Sequence, residues 1–280
     1  MVSGMNENVH GRRVVIRACI GLMAAISIAS SARADDDPWP GLRKELFQDR
    51  PLAEDATIQL FAPNQADDAA AVPVAIAISP MMVPGAKSLT LMIDRNPVPV
   101  AAQFTFGDAY RRGPDIGERT IATRIRVDAF SRVRAILETT DGRLHMVSKF
   151  VIGSGGCSAP ASKDPEVALA QLGKARLVIR RDDAKGPNWR EARVMIKHPN
   201  FTGMQMNSRT GDYTPARFVN AIEVKQGQDV IWSMAGGISI SEDPNIRFTF
   251  AADSLADLEL NARDTSGAKF KATGSISPPS

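Results

Sequence analysis

"RTIATRIRVDAFSRVRAILETTDGRLHMVSKFVI" (residues 119–152) carries the period that decides the fold. In its first nine residues Ile121, Thr123, Ile125 and Val127 share one face, while Arg124 and Arg126 take the other. A repeat of two is the signature of an extended strand with one face buried. Two more apolar stretches follow, 132–140 and 143–152, separated by Asp141-Gly142. That dipeptide favours a tight hairpin because its residues tolerate positive φ. Three strands arrive in succession with no helical period between them.

The same pattern extends in both directions. Upstream lie "TIQLFAP" (57–63), "VPVAIAIS" (72–79), "SLTLMID" (88–94) and "VAAQFTFG" (100–107). Seven short strands with turn chemistry between them predict an immunoglobulin-like β-sandwich domain over residues 35–152. At its start, "DPWPGLRKELFQDRPL" (37–52) offers Asp37 as an N-cap, Pro38 at the first helical position, and Trp39, Leu42 and Leu46 at helical spacing. This predicts a short N-terminal helix. Strand patterns resume at Lys174 with "KARLVIRR" (174–181), "EARVMIKHP" (191–199), "ARFVNAIEVKQG" (216–227), "DVIWSMAGG" (229–237), "IRFTFAA" (246–252), "DLELNARD" (257–264) and "KFKATGSI" (269–276). Residues 174–280 therefore form a second predicted sandwich, with Pro278 and Pro279 in a frayed tail. The expected fold class is all-β: two immunoglobulin-like domains side by side, joined by a glycine- and cysteine-containing linker over 153–173. Within that linker Asp164 and Pro165 can open a short helix that Gly173 ends.

The first 34 residues read as an export signal. Arg12, Arg13 and Arg17 precede the apolar run "ACIGLMAAISIASS" (18–31), and "ARA" (32–34) sets small residues where a signal peptidase cuts, before Asp35. The apolar run is too short to span a bilayer. Arg12-Arg13 is a partial match to a twin-arginine signal. A periplasmic location follows as the expectation. Cleavage would remove four arginines and Glu7 from the 34 basic and 31 acidic residues, leaving 30 of each. A balanced mature chain argues against nucleic acid or a membrane surface as the main partner.

Cleavage would also remove Cys19, leaving Cys157 as the single thiol. Exported chains usually hold cysteines in disulfide pairs, so a lone one is unusual. It stands in "VIGSGGCSAP" (151–160), where no residue from Gly153 to Ala159 is large and apolar. The expectation is an exposed thiol on a mobile arm, its flexibility coming from Gly153, Gly155 and Gly156. Extended, the five residues from Gly153 to Cys157 reach roughly 17 Å. A nucleophilic catalyst needs a fixed position relative to its base, and a glycine arm supplies the opposite.

Other chemistry is sparse. His145 alternates in a predicted strand and reads as a solvated or hydrogen-bonded strand residue, and His198 precedes Pro199 at a strand end, a loop position where histidine is common. There is no H-x-x-x-H or C-x-x-C spacing. A copper site from Cys157, a histidine, Met204 and Met206 is set against the simpler reading of alternating methionines as one face of a strand. Asp253, Asp257 and Asp264 read as strand-end carboxylates. No catalytic constellation, cofactor motif or metal site is expected, and the thiol reads as a covalent carrier rather than a catalyst.

These residues resemble a known family. "VPVAIAISPM" (72–81), "NPVPVAAQF" (96–104), "TRIRV" (123–127) and "GGCSA" (155–159) are similar to SoxY, whose cysteine in a "GGCGG"-like segment carries sulfur intermediates in thiosulfate oxidation. "IKHPNFTGMQMNSRTGDYTPARFV" (196–219) and "ISEDPNIRFTF" (240–250) are similar to SoxZ. The order of the two halves resembles fused SoxYZ-like carriers encoded beside pyrroloquinoline-quinone alcohol dehydrogenases. The resemblance implies covalent sulfur attachment at Cys157, with small sulfur species as cargo and periplasmic sulfur-oxidising or quinoprotein dehydrogenase-system proteins as partners. Two features depart from it: Ser158 and Ala159 replace the glycines after the cysteine, and the segment is followed by residues 158–280 rather than ending the chain. Beside the carrier reading stand an accessory protein of a quinoprotein dehydrogenase and a binding module without chemistry.

Overall fold

The computed structural model describes residues 37–276, except 49, 114–116, 163, 182, 208–209 and 253. The expected signal segment 1–34 with its expected cleavage site, Asp253 and the Pro278-Pro279 tail lie outside the described residues. The first half contains strands β1 (Leu52–Glu54), β2 (Ile58–Phe61), β3 (Val72–Ile78), β4 (Ala86–Ile93), β5 (Val100–Phe106), β6 (Arg119–Ile125), β7 (Ser131–Thr139) and β8 (Leu144–Val151). The second contains β9 (Ala175–Arg181), β10 (Trp189–Ile196), β11 (Val219–Gln226), β12 (Asp229–Gly236), β13 (Asn245–Ala251), β14 (Leu258–Asp264) and β15 (Lys269–Gly274). Among the described residues three short α-helices accompany them, α1 (Trp39–Phe47), α2 (Asp108–Arg111) and α3 (Pro165–Ala170), with 3-10 turns at Pro80–Gly85 and Asp183–Lys185. The class is all-β, as the alternation implied. The three-residue β1 and the helix α2 are too short to show a period.

Each half is a two-layer sandwich, and the layers run on from one half into the other. One sheet has the order β1-β8-β7-β4-β5-β12-β11-β14-β15 and the other β2-β3-β6-β13-β10-β9. The joins are β5 with β12 (Gln103 opposite Ala235) and β6 with β13 (Ile121 opposite Phe248), both antiparallel. The halves therefore share a core. Trp232 is fully buried with ring centroids 5.6 Å from Phe104 of the first half and 5.3 Å from Phe248 of the second. Edge-to-face rings at that spacing add to the burial of their area. The two joins also cover four strand edges, those of β5, β12, β6 and β13, that would otherwise present unpaired backbone groups.

Helix α1 lies on the outer face of the larger sheet. Trp39, Leu42 and Phe47 cover Met92, Ile136, Leu144 and Met146. Pro38 occupies the N-cap position with no side-chain cap, so Asp37 does not play that part. Asp164 does cap α3, its carboxylate accepting from the Glu166 N–H at 3.0 Å.

The hairpin between β7 and β8 forms where Asp141-Gly142 placed it, but with a longer turn than two residues. Thr139 N–H bonds to Arg143 C=O at 3.0 Å and Gly142 N–H to Thr139 C=O at 2.8 Å. Gly142 closes this three-residue loop with φ at 84°, the left-handed position such loops reserve for glycine. A Cβ there would meet nothing within 4 Å, so Gly142→Ala tests backbone strain alone. It is expected to cost about 1 kcal/mol in urea unfolding, and no measurable loss would contradict the turn geometry.

Candidate functional site

Cys157 is fully buried, not exposed. The cover comes from residues far away in sequence, which the small local neighbours conceal. Segment 155–159 lies against the β6–β7 connection. Gly155 N–H bonds to Asp128 C=O at 2.8 Å and Gly156 N–H to Val127 C=O at 3.1 Å. Cys157 N–H reaches the Asp128 carboxylate at 3.0 Å. The second half closes over the other side. Thr202 Oγ1 donates to Cys157 C=O at 2.6 Å and Gln205 Nε2 to Ala159 C=O at 3.1 Å. Further along, Glu242 accepts from Ser162 N–H at 3.0 Å and from its hydroxyl.

The glycines serve this docking rather than free motion. Gly155 takes a φ of 71°. Gly156 faces the backbone so closely that a Cβ would fall 2.1 Å from Ala69 O and 2.7 Å from Val127 O. Only glycine permits that approach. A Cβ on Gly153 would sit 3.3 Å from the Ala66 Cβ. The arm expected from the sequence is a strap held down along its length.

Two charges from the first half frame the thiol. Asp128 is held by the Asn96 side chain, whose Oδ1 accepts from Asp128 N–H at 2.9 Å. Asn96 Nδ2 donates to Arg126 C=O at 2.8 Å and to Ser239 Oγ at 2.9 Å, so it spans both halves. Arg126 is 1% exposed, with Nη1 on Gly156 C=O at 3.1 Å and Nη2 on Asn200 C=O at 3.4 Å. Burial pushes the Cys157 thiol from an ordinary 9.0 up to about 12. The Asp128 charge adds to the rise, and the Arg126 guanidinium offsets part of it. The docked thiol is therefore protonated at neutral pH and a poor nucleophile.

The two histidines lie elsewhere in the polar framework. His145 Nδ1 meets Asp55 Oδ2 at 2.7 Å, a hydrogen-bonded strand residue as its position suggested. His198 Nδ1 accepts from Asn200 N–H at 2.9 Å, and its Nε2 faces Asp264 Oδ2 at 3.3 Å. Met204 and Met206 are in no named strand, and Met206 is exposed. Among the described residues no three His, Cys, Asp or Glu cluster as a metal site, and no helix is long and apolar enough to cross a membrane.

Sequence reasoning did not single out Asp128, Asn200, Thr202, Gln205 or Glu242, and it took Arg126 only as an outward strand residue. All but Asp128 lie inside the stretches quoted for the resemblance. Asp128 is the residue next after one of them.

Among solved structures, the sulfur carrier protein SoxY from Chlorobium limicola f thiosulfatophilum is similar at 23% identity, over 41% of this chain and 91% of that one, with a TM-score of 0.33. A β-glycosidase from Bacteroides vulgatus is similar at 10% identity with a TM-score of 0.22, over 84% of this chain and 26% of that one. No curated protein matches. The family model of sulfur oxidation protein SoxY matches residues 43–157, ending on Cys157 itself, and that of sulphur oxidation protein SoxZ matches residues 178–275. The chain belongs to these two families in succession: it is a fused SoxY–SoxZ protein of sulfur oxidation.

Proposed function

We propose that the protein is a periplasmic sulfur carrier, not an enzyme, and that Cys157 is the residue to which sulfur is covalently attached. The observation that carries this reading is the position of Cys157. It ends the SoxY match, and groups from both halves hold it: Asp128 and Arg126 on one side, Thr202 and Gln205 on the other. Burial adds a condition. The strap must lift before the thiol can react, and a loaded strap that docks again shields its cargo from stray thiols. Loading with thiosulfate would join the Cys157 thiolate to the outer sulfur, giving Cys157–S–S–SO3⁻. Two electrons leave to a partner redox protein and the thiol proton to solvent. The partners are then sulfur-oxidising proteins able to take those electrons and remove the cargo.

Intact mass of the protein isolated from cells oxidising thiosulfate tests the reading. A fraction is expected to carry one or more extra sulfur atoms or a thiosulfate group, lost on reduction and absent in Cys157→Ser. A second reading has its own support: full burial and a raised pKa suit a thiol that only packs. Under it the protein would be an accessory of a periplasmic quinoprotein dehydrogenase. A chain always isolated as the plain thiol would favour that alternative.

A further inference from the structure

Arg126 is a buried cation with no direct ion pair among the described residues. Its side chain ends against the Gly156–Cys157 peptide, and both partners of its Nη groups are neutral carbonyls, those of Gly156 and Asn200. Its Nε has no hydrogen-bond partner, and it forms no ion pair among the described residues. The acidic groups that act on it, Asp68 and Glu242, do so without a direct contact, and each accepts a hydrogen bond from another residue. Asp68 accepts from Ala70 N–H at 2.8 Å and Glu242 from Ser162. Asp128 accepts from Cys157 N–H. A guanidinium stays charged even when buried, and burying a charge without a counter-charge is unfavourable. With Cys157 as a neutral thiol, no carboxylate among the described residues pairs directly with the guanidinium, and Glu242 and Asp68 act on it only at longer range.

The cargo would supply a direct counter-charge. We propose that Arg126 is the receptor for the anionic end of the adduct on Cys157, a sulfonate or persulfide, so that the strap docks more firmly when it carries an anion than when it carries a neutral group. This rests on the carrier reading of Cys157. Arg126 thereby selects for anionic sulfur species among those the thiol could hold. Neutral or cationic adducts leave the guanidinium unpaired and favour the lifted strap, the form a partner can unload.

The test uses chemically installed charges of similar size. Cys157 in the exported chain is alkylated with iodoacetate, iodoacetamide or 2-bromoethylamine, the thiolate displacing the halide in each case. Hydrogen exchange is then followed in the peptide spanning 153–162. The expected order of exchange is anion slowest, neutral faster and cation fastest, with about tenfold between anion and neutral if one charge-assisted contact forms. Arg126→Gln is expected to erase the order. Equal rates in the wild type overturn the proposal. So does the reverse order, which would mean that Asp128 dominates, and so does an order that survives in Arg126→Gln. The wild-type order decides even if Arg126→Gln does not fold. Absence of sulfur on the protein from cells would refute the carrier reading whatever the alkylated forms do, so the two failures are separable.

Discussion

Gly156→Ala is expected to expose Cys157 and to speed its reaction with a soluble aromatic disulfide at pH 8 by on the order of a thousandfold. The new Cβ would lie 2.1 Å from Ala69 O, 2.7 Å from Ala69 C and 2.7 Å from Val127 O. All three are backbone atoms in paired loops, since Ala69 C=O accepts from Val127 N–H and Val127 C=O from Gly156 N–H. They cannot give way as a flexible side chain would, so the strap must lift. Lifting returns the thiol from about 12 toward its ordinary 9.0. Reactivity follows the thiolate fraction, which rises about tenfold for each unit. Gly153→Ala is the control: its Cβ would meet the Ala66 Cβ at 3.3 Å, a contact small shifts can absorb, and the rate should change little. If the glycines served only free motion of an arm, the thiol would already be available and Gly156→Ala would leave the rate unchanged. That result would discard the docked strap.

The contrast shows which structural information the sequence held. Alternation at Ile121, Thr123, Ile125 and Val127 fixes which residues point inward, because it reports a local repeat. It does not name the neighbouring strand. The pairing of β5 with β12 joins Gln103 to Ala235, and no local signal distinguishes such a join from an exposed edge. Burial of Cys157 was hidden for the same reason. Its own neighbours are small, but the groups that cover it stand 29 residues upstream at Asp128 and 45 downstream at Thr202. "GSGG" before a cysteine reads as freedom when only sequence is considered. At Gly156 it means space for a neighbouring backbone.

Asp264→Ala is expected to cost about 3–5 kcal/mol in urea unfolding, because it strips several donors of one buried acceptor. The Asp264 carboxylate is inaccessible to solvent and accepts from Arg217 Nε at 2.8 Å, His198 Nε2 at 3.3 Å, Ser266 N–H at 3.0 Å and Ala268 N–H at 2.9 Å. Burial alone would raise its pKa, but these donors hold it down at about 2. A carboxyl lowered on folding stabilises the protein above its ordinary 3.8, and that contribution is lost as pH falls toward 2. His198 acts earlier. Burial lowers its pKa below 6.5 despite Asp264, so on acidification the unfolded chain takes up its proton first and stability falls below pH 6.5. Acid unfolding of the wild type should therefore weaken in two stages. His198→Gln should flatten the upper one and Asp264→Ala the lower. The node also reaches the thiol. His198 Nδ1 holds Asn200 N–H at 2.9 Å, Asn200 sits at a φ of 45°, and its carbonyl receives Arg126 Nη2 at 3.4 Å. Loosening His198 should thus raise Cys157 reactivity at a pH where the chain is still folded. A His198→Gln protein with wild-type stability at pH 5 relative to pH 7.5, and wild-type thiol reactivity, would break this link.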